Sequence, residues 1–229
     1  MKGQARTKLI ELYYLDEAGF APTLPVGYTW AREGVRAIVP YEAPEGRRVN
    51  AIGALAPFGD VGDEPRLAYA TRCTSFKGQD VLEFIWKQVG RMSTPVGEVP
   101  EGFERARRCV VVLDNYSPHH GKEIKEYSGA LEAAGIELFY LPPYSPELNL
   151  IEPMWRHIKH EDMPVRSHST AEELKAAVDT VLGNKATALR TLRTLRTLRL
   201  PLRATLTAPV APAIPPACAH NANSLSEAA

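Results

Sequence analysis

Apolar residues in this chain fall into short runs of two periods. Leu9 to Leu15 (LIELYYL) reads as a strand and runs into Asp16-Glu17-Ala18-Gly19. Val35 to Pro40, Arg47 to Leu55 and Leu67 to Thr74 are further strand-like runs separated by Gly, Pro and Asp turns, which predicts an antiparallel meander. Gly78 to Gly90 has helical spacing, with Val81, Leu82, Phe84, Ile85 and Val89 on its apolar face. Cys109 to Leu113 is continuously apolar and β-branched, as in a strand buried on both faces, and it ends at Asp114-Asn115. His119 to Ala134 follows as a helix closed by Gly135, and Ile136 to Leu141 as a strand. Ser169-Thr170-Ala171-Glu172 is a capping box opening a last helix to about Leu182. This order of elements predicts an α/β fold.

The stretch LPPYSPELNLIEPMWRHIKH, Leu141 to His160, stands apart. Pro142, Pro143 and Pro146 donate no backbone hydrogen bond and push their neighbours toward extended or turn geometry. A helix can therefore begin no earlier than Glu147 or Leu148. Leu148, Ile151, Trp155 and Ile158 then form one apolar face, with Glu152 beside it. Asp16 and Asp114 each stand where an apolar strand emerges, and open α/β sheets build their sites at the carboxyl ends of strands. Two strand-end acids and one helix-borne acid are a donor set for hard divalent cations. Any one of them alone reads more simply as a turn former or a solvated charge.

Composition narrows the class. The 229 residues are 45% hydrophobic and 24% charged, which is ordinary for a globular protein. No apolar run approaches the roughly 18 residues of a membrane helix, and the N-terminus lacks the pattern of a signal peptide. Three widely spaced cysteines, Cys73, Cys109 and Cys218, argue against a disulfide framework and for a reducing, cytoplasmic compartment. The zero net charge hides an asymmetry: residues 1–179 carry 21 Lys and Arg against 26 Asp and Glu, and residues 180–229 carry 6 against 1. Basic character is therefore concentrated in the tail.

Several ordered motifs point to one family. LYYLDEAGF, GYTWAREG, RVNAIGAL, VVVLDNYSPHH and LPPYSPELNLIEPMWRHIKH closely resemble the DDE transposases of the mariner superfamily, best the bacterial insertion-sequence branch. The resemblance spans about residues 8–182 and implies a ribonuclease H-like mixed sheet flanked by helices. It carries the catalytic, metal-binding triad onto Asp16, Asp114 and Glu152, with 37 residues between the last two. The implied cofactors are two divalent ions, Mg²⁺ with Mn²⁺ able to substitute, clamping an in-line displacement from roughly 3.5–4 Å apart. The implied reaction is hydrolysis at a transposon end followed by attack of the freed 3′-hydroxyl on target DNA, typically at a TA step. Asn115, His119 and His120 are possible auxiliary residues, orienting a ligand or contacting DNA. The implied partner is double-stranded DNA in a bacterial nucleoid, with a homodimer possible.

Other readings accompany these. Glu17 reads as a neighbour of the site, and Glu161 and Asp162 as surface charge. His157 and His160 read as a DNA-facing or solvated pair, although their spacing also suits a metal. Trp30 and Trp155 read as packing anchors. Such transposases carry an N-terminal helix-turn-helix region, whereas this chain reaches its first catalytic strand within a few residues. A separate helix-turn-helix chain or domain is therefore expected. Residues 1–182 form the expected catalytic domain, and 183–229 a basic Leu-Arg-Thr repeat with a disordered Ala/Pro-rich tail. In that repeat the leucines recur every three residues and drift around a helix, so they make no stable stripe. Its arginines suit phosphates, or the repeat is an expansion without a selected role. The alternative to an active enzyme is a non-catalytic DNA-binding or dimerising fragment that modulates a full-length transposase.

Overall fold

The computed structural model describes residues 1–22, 32–36, 48–59, 64–164 and 168–197, with backbone alone at 117, 118 and 191–197. Most of the strand expected at 35–40, Trp30, Cys218 and the Ala/Pro-rich tail lie outside the described residues.

A short helix, α1 (Lys2–Arg6), leads into β1 (Ile10–Phe20), then β2 (Val49–Ala56) and β3 (Arg66–Arg72). Next come α2 (Gly78–Phe84) with a wider π-type turn at Ile85–Val89, β4 (Arg108–Leu113), α3 (Lys122–Glu126), α4 (Ser128–Ala133), β5 (Ile136–Tyr140), α5 (Glu152–His157) with a second π-type turn at Ile158–Asp162, and α6 (Ala171–Thr197). The sheet runs β3-β2-β1-β4-β5. β1, β2 and β3 pair antiparallel, as the meander predicts, whereas β4 and β5 join β1 in parallel. This is a mixed sheet of the ribonuclease H-like type.

Both faces of the sheet are covered, so its central strands are apolar on both sides. Leu12, Tyr14, Ala18 and Phe20 pack with Ile151, Trp155 and Ile158 and with Leu174, Val178 and Leu182 of α6. Tyr13 and Leu15 face the other way, onto Val81, Leu82, Ile85, Trp86 and Leu131. The odd residue in β1 is Glu11, which is fully buried. Arg91 Nη2 reaches both of its carboxylate oxygens, at 3.0 and 2.8 Å, and Arg105 lies 3.6 Å away. Arg105 also donates to the carbonyls of Gly90 and Ala134. This paired charge ties the loop after α2 to the start of β1, at the end of the sheet away from Asp16.

Four sequence expectations change. β1 does not end at Leu15 but continues to Phe20, because β2 pairs with it as far as Phe20–Val49. The helix expected at 119–134 is divided: a 3₁₀ turn covers Ser117–His120, and Tyr127 separates α3 from α4. The helix after the proline corner starts at Glu152, since Pro146–Leu148 form a separate 3₁₀ turn and leave Leu148 exposed. α6 runs past Leu182 to Thr197, so the backbone of the first Leu-Arg-Thr repeats is helical.

Candidate active site at the carboxyl ends of the parallel strands

The parallel register of β1 and β4 pairs Tyr14 with Val112, the last pair before β4 ends. Two residues further along the chain from that pair stand Asp16, still in β1, and Asp114, just past the end of β4, the two acids that the sequence singles out. Asp16 is still inside β1, opposite Gly53 of β2, so it is held by the sheet and not by a turn. It is only 9% exposed. Burial, then the nearby charges of Glu152, Glu17 and Asp114, push its pKa up to about 8. All three proposed acids therefore sit in one electrostatic neighbourhood.

Asp114 is half-exposed, and its Oδ1 is occupied. That oxygen accepts from the Tyr116 backbone N–H at 3.0 Å and lies 2.7 Å from His119 Nδ1. Oδ2 takes neither bond. His119 is fully buried and its Nε2 lies 2.9 Å from Glu17. Burial opposes the charged imidazolium, but the bonds to Asp114 and Glu17 outweigh it and raise the pKa to about 10. The same bond from His119 holds the Asp114 carboxyl below its ordinary range. His119 thus braces Asp114 against β1. Asn115 donates through Nδ2 to the Leu141 carbonyl at the head of the proline corner, and its Oδ1 meets His120 Nε2 at 2.8 Å. His120 stacks on Tyr140 with ring centroids 4.1 Å apart.

Glu152 is the first residue of α5, where a carboxylate is favoured by the helix N-terminus. Two features fix it. Trp155, one turn on, is buried against Gly53, where an added Cβ would stand 2.7 Å from the indole and 3.2 Å from Ile151. Asn149, just before the helix, donates through Nδ2 to the Leu15 carbonyl at 3.1 Å. Lys159 lies over the ring of Phe20 at 5.7 Å. Burial lowers its pKa, while Glu152 and Asp16 oppose that shift.

A cleft of about 410 Å³ opens here, lined by Asp114, Asn115, Tyr116, the 141–146 corner, Asn149 and Glu152. Tyr144, at φ 56° and fully exposed, and Tyr116, 54% exposed, stand at its rim. A larger hollow of about 680 Å³ runs along the edge of β5, but it is away from the carboxylates and has walls of mixed charge and apolar residues. Volume therefore does not mark the site; the acids do.

The donor set fits hard divalent cations: carboxylate oxygens, one of them on a buried Asp whose charge the fold penalises. As the side chains stand, no group of three His, Cys, Asp or Glu residues among the described residues is arranged to hold a metal ion. The ring nitrogens of His157 lie 3.0 Å from Glu161 and 3.4 Å from Asp162. The sequence reading passed over Asn149, Lys159 and the bracing contact of His119. The position of Asn149 inside the motif, three residues before Glu152, was the available signal for the first.

Comparisons with known proteins bear on the family and the fold. A family model described as DDE superfamily endonuclease matches residues 11–175. The Mos1 strand transfer complex is similar in fold at 14% identity and TM-score 0.52, over 86% of this chain and 54% of that one. The mariner Mos1 paired end complex with Mg matches at 14% identity and TM-score 0.53, over 82% and 52%. The paired end complex with Mn matches at 14% and 0.51, over 86% and 56%. At this identity the likeness is one of fold, and the chain spans about half the length of these solved chains. No curated protein sequence matches.

Proposed function

Because the chain belongs to the DDE superfamily endonuclease family, we propose that it is the catalytic domain of a DNA transposase, with residues 1–182 as the working unit. The observation that carries this reading is geometric: Asp16 and Asp114 each stand two residues beyond the last β1–β4 pair, and the helix of Glu152 is seated on Gly53, the residue opposite Asp16. Asp16, Asp114 and Glu152 are the metal ligands in this reading. Two Mg²⁺ or Mn²⁺ ions bound there would stabilise the attacking and leaving oxygens of a phosphodiester displacement. The chain's own residues prepare that chemistry. β1 and β2 hold Asp16, His119 turns Asp114 so that Oδ2 faces away from its own hydrogen bonds, and the Gly53 slot seats the helix of Glu152.

The substrate is double-stranded DNA, by analogy with the transposition complexes to which the fold is similar. The sequence motifs favour the bacterial insertion-sequence branch, and the resemblance they carry implies a TA-type target and a homodimer. Such a protein would act at the bacterial nucleoid. Among the described residues no helix is long and apolar enough to cross a membrane.

The test is a joining reaction. A duplex oligonucleotide with a free 3′-hydroxyl is incubated with plasmid, Mn²⁺ and the full chain. Covalent joining supports a strand transferase. Cutting without joining leaves an endonuclease, and neither activity leaves the non-catalytic, DNA-binding or dimerising fragment.

A further inference from the structure

Asn149 stands between the two halves of the site. It is 2% exposed. Its side-chain Nδ2 donates to the carbonyl of Leu15, whose peptide continues into Asp16, across 134 residues of sequence. The parallel ladder between β1 and β4 stops at the Tyr14–Val112 pair, and Leu15 is the next carbonyl along β1. The amide of Asn149 takes the place of a strand neighbour there. Its backbone does a second job: the Asn149 carbonyl accepts from the Glu152 N–H at 3.1 Å, and its own N–H donates to Pro146 at 2.9 Å. One residue therefore grips Asp16's peptide by its side chain and Glu152's helix start by its main chain.

The other side-chain atom adds a second observation. Asn149 Oδ1 is buried and has no hydrogen-bond partner among the described residues. The residue lines the same cleft as Asp114 and Glu152. An acceptor left without a donor costs free energy when buried, unless something in the assembled site donates to it. Mg²⁺ keeps several of its waters when bound by carboxylates, and those waters are strong donors.

We propose that Asn149 is a positioning residue that sets the separation of Asp16 and Glu152 and offers Oδ1 to the hydration shell of a bound divalent cation. The inference rests on the metal-dependent reading of this site. It predicts that Asn149 governs metal affinity, although it is not itself one of the three acids.

The experiment measures Mn²⁺ binding to the full chain by the electron paramagnetic resonance signal of free Mn²⁺, without DNA. It compares wild type, Asn149→Ala, Asn149→Ser and Val178→Ala, with circular dichroism to establish folding. Loss of a residue that orients metal ligands weakens affinity by roughly 10–100-fold. The expected result is a rise of at least tenfold in the Mn²⁺ dissociation constant for both Asn149 variants. Val178→Ala, which trims the core under α6, should lower thermal stability and leave Mn²⁺ affinity unchanged. The Mg²⁺ concentration for half-maximal plasmid nicking should rise in parallel. Wild-type affinity in a folded Asn149 variant would overturn the proposal. So would failure of both variants to fold, which would make Asn149 a residue of the fold alone. No Mn²⁺ binding by wild type would instead sink the metal-dependent reading beneath it.

Discussion

At the scale of single residues, the fold penalises the charge of Asp16 and favours those of Asp114 and His119. Asp16 has an ordinary pKa of 3.8 and is pushed up to about 8. The stability it contributes is complete below the ordinary value and is lost as pH rises through about 8. His119 slopes the same way, from 6.5 to about 10. With chelator present, the chain should therefore become less stable between pH 5 and 9. Asp16→Asn should stabilise the protein more at pH 8.5 than at pH 5, by a difference on the order of 4 kcal/mol. Urea unfolding at the two pH values checks this, and an equal effect at both would contradict it. The three acids were legible in the sequence because each sits in a long motif. The partner of Asn149 was not, because it is a backbone carbonyl in a remote strand, which no side-chain pattern records.

At the scale of elements, position comes from packing. Gly53 in RVNAIGAL has no special backbone angle; its missing side chain is a slot for Trp155. Gly53→Ala puts a carbon 2.7 Å from the ring of Trp155, whose helix begins with Glu152. Overpacking of this kind costs roughly 1–3 kcal/mol. The expected outcome in urea is a loss of that size, together with a larger fractional loss of nicking than stability alone explains. Unchanged nicking by the folded variant would mean that the slot does not position Glu152. Periodicity found the strands well, since the central ones are apolar on both faces. It misplaced helix starts. The spacing from Leu148 continues across a 3₁₀ turn that leaves Leu148 exposed, so the pattern outran the helix. The divided helix after Asp114 escaped for a similar reason: apolar spacing alone does not record the break at Tyr127.

At the scale of the whole molecule, the two ends of the sheet have separate duties. The carboxyl end of the parallel strands gathers the acids. The other end is clamped by Glu11 with Arg91 and Arg105. Removing one member of such a buried set leaves charge unpaired and costs about 3–5 kcal/mol. Glu11→Ala should therefore lose stability of that order in urea, yet keep nicking per folded molecule. Loss of nicking in its folded fraction would show that the two ends are coupled. The order of elements along the chain was readable from the sequence, and the family resemblance implied a ribonuclease H-like mixed sheet; the strand order β3-β2-β1-β4-β5 itself comes from the structure. The pairing of Glu11 was not readable, because an acid in an apolar strand does not announce its partners.

In the function proposed above, Asp16, Asp114 and Glu152 form one metal-dependent site for cutting DNA. Nicking of supercoiled plasmid in Mg²⁺ or Mn²⁺, by the folded full chain and by Asp114→Ala, tests it most directly. Nicking by wild type should need the metal, stop with chelator, and fall by at least about 100-fold in the variant, equal to roughly 2.7 kcal/mol of barrier. Equal nicking by both proteins, or none by wild type at any metal concentration, would contradict it.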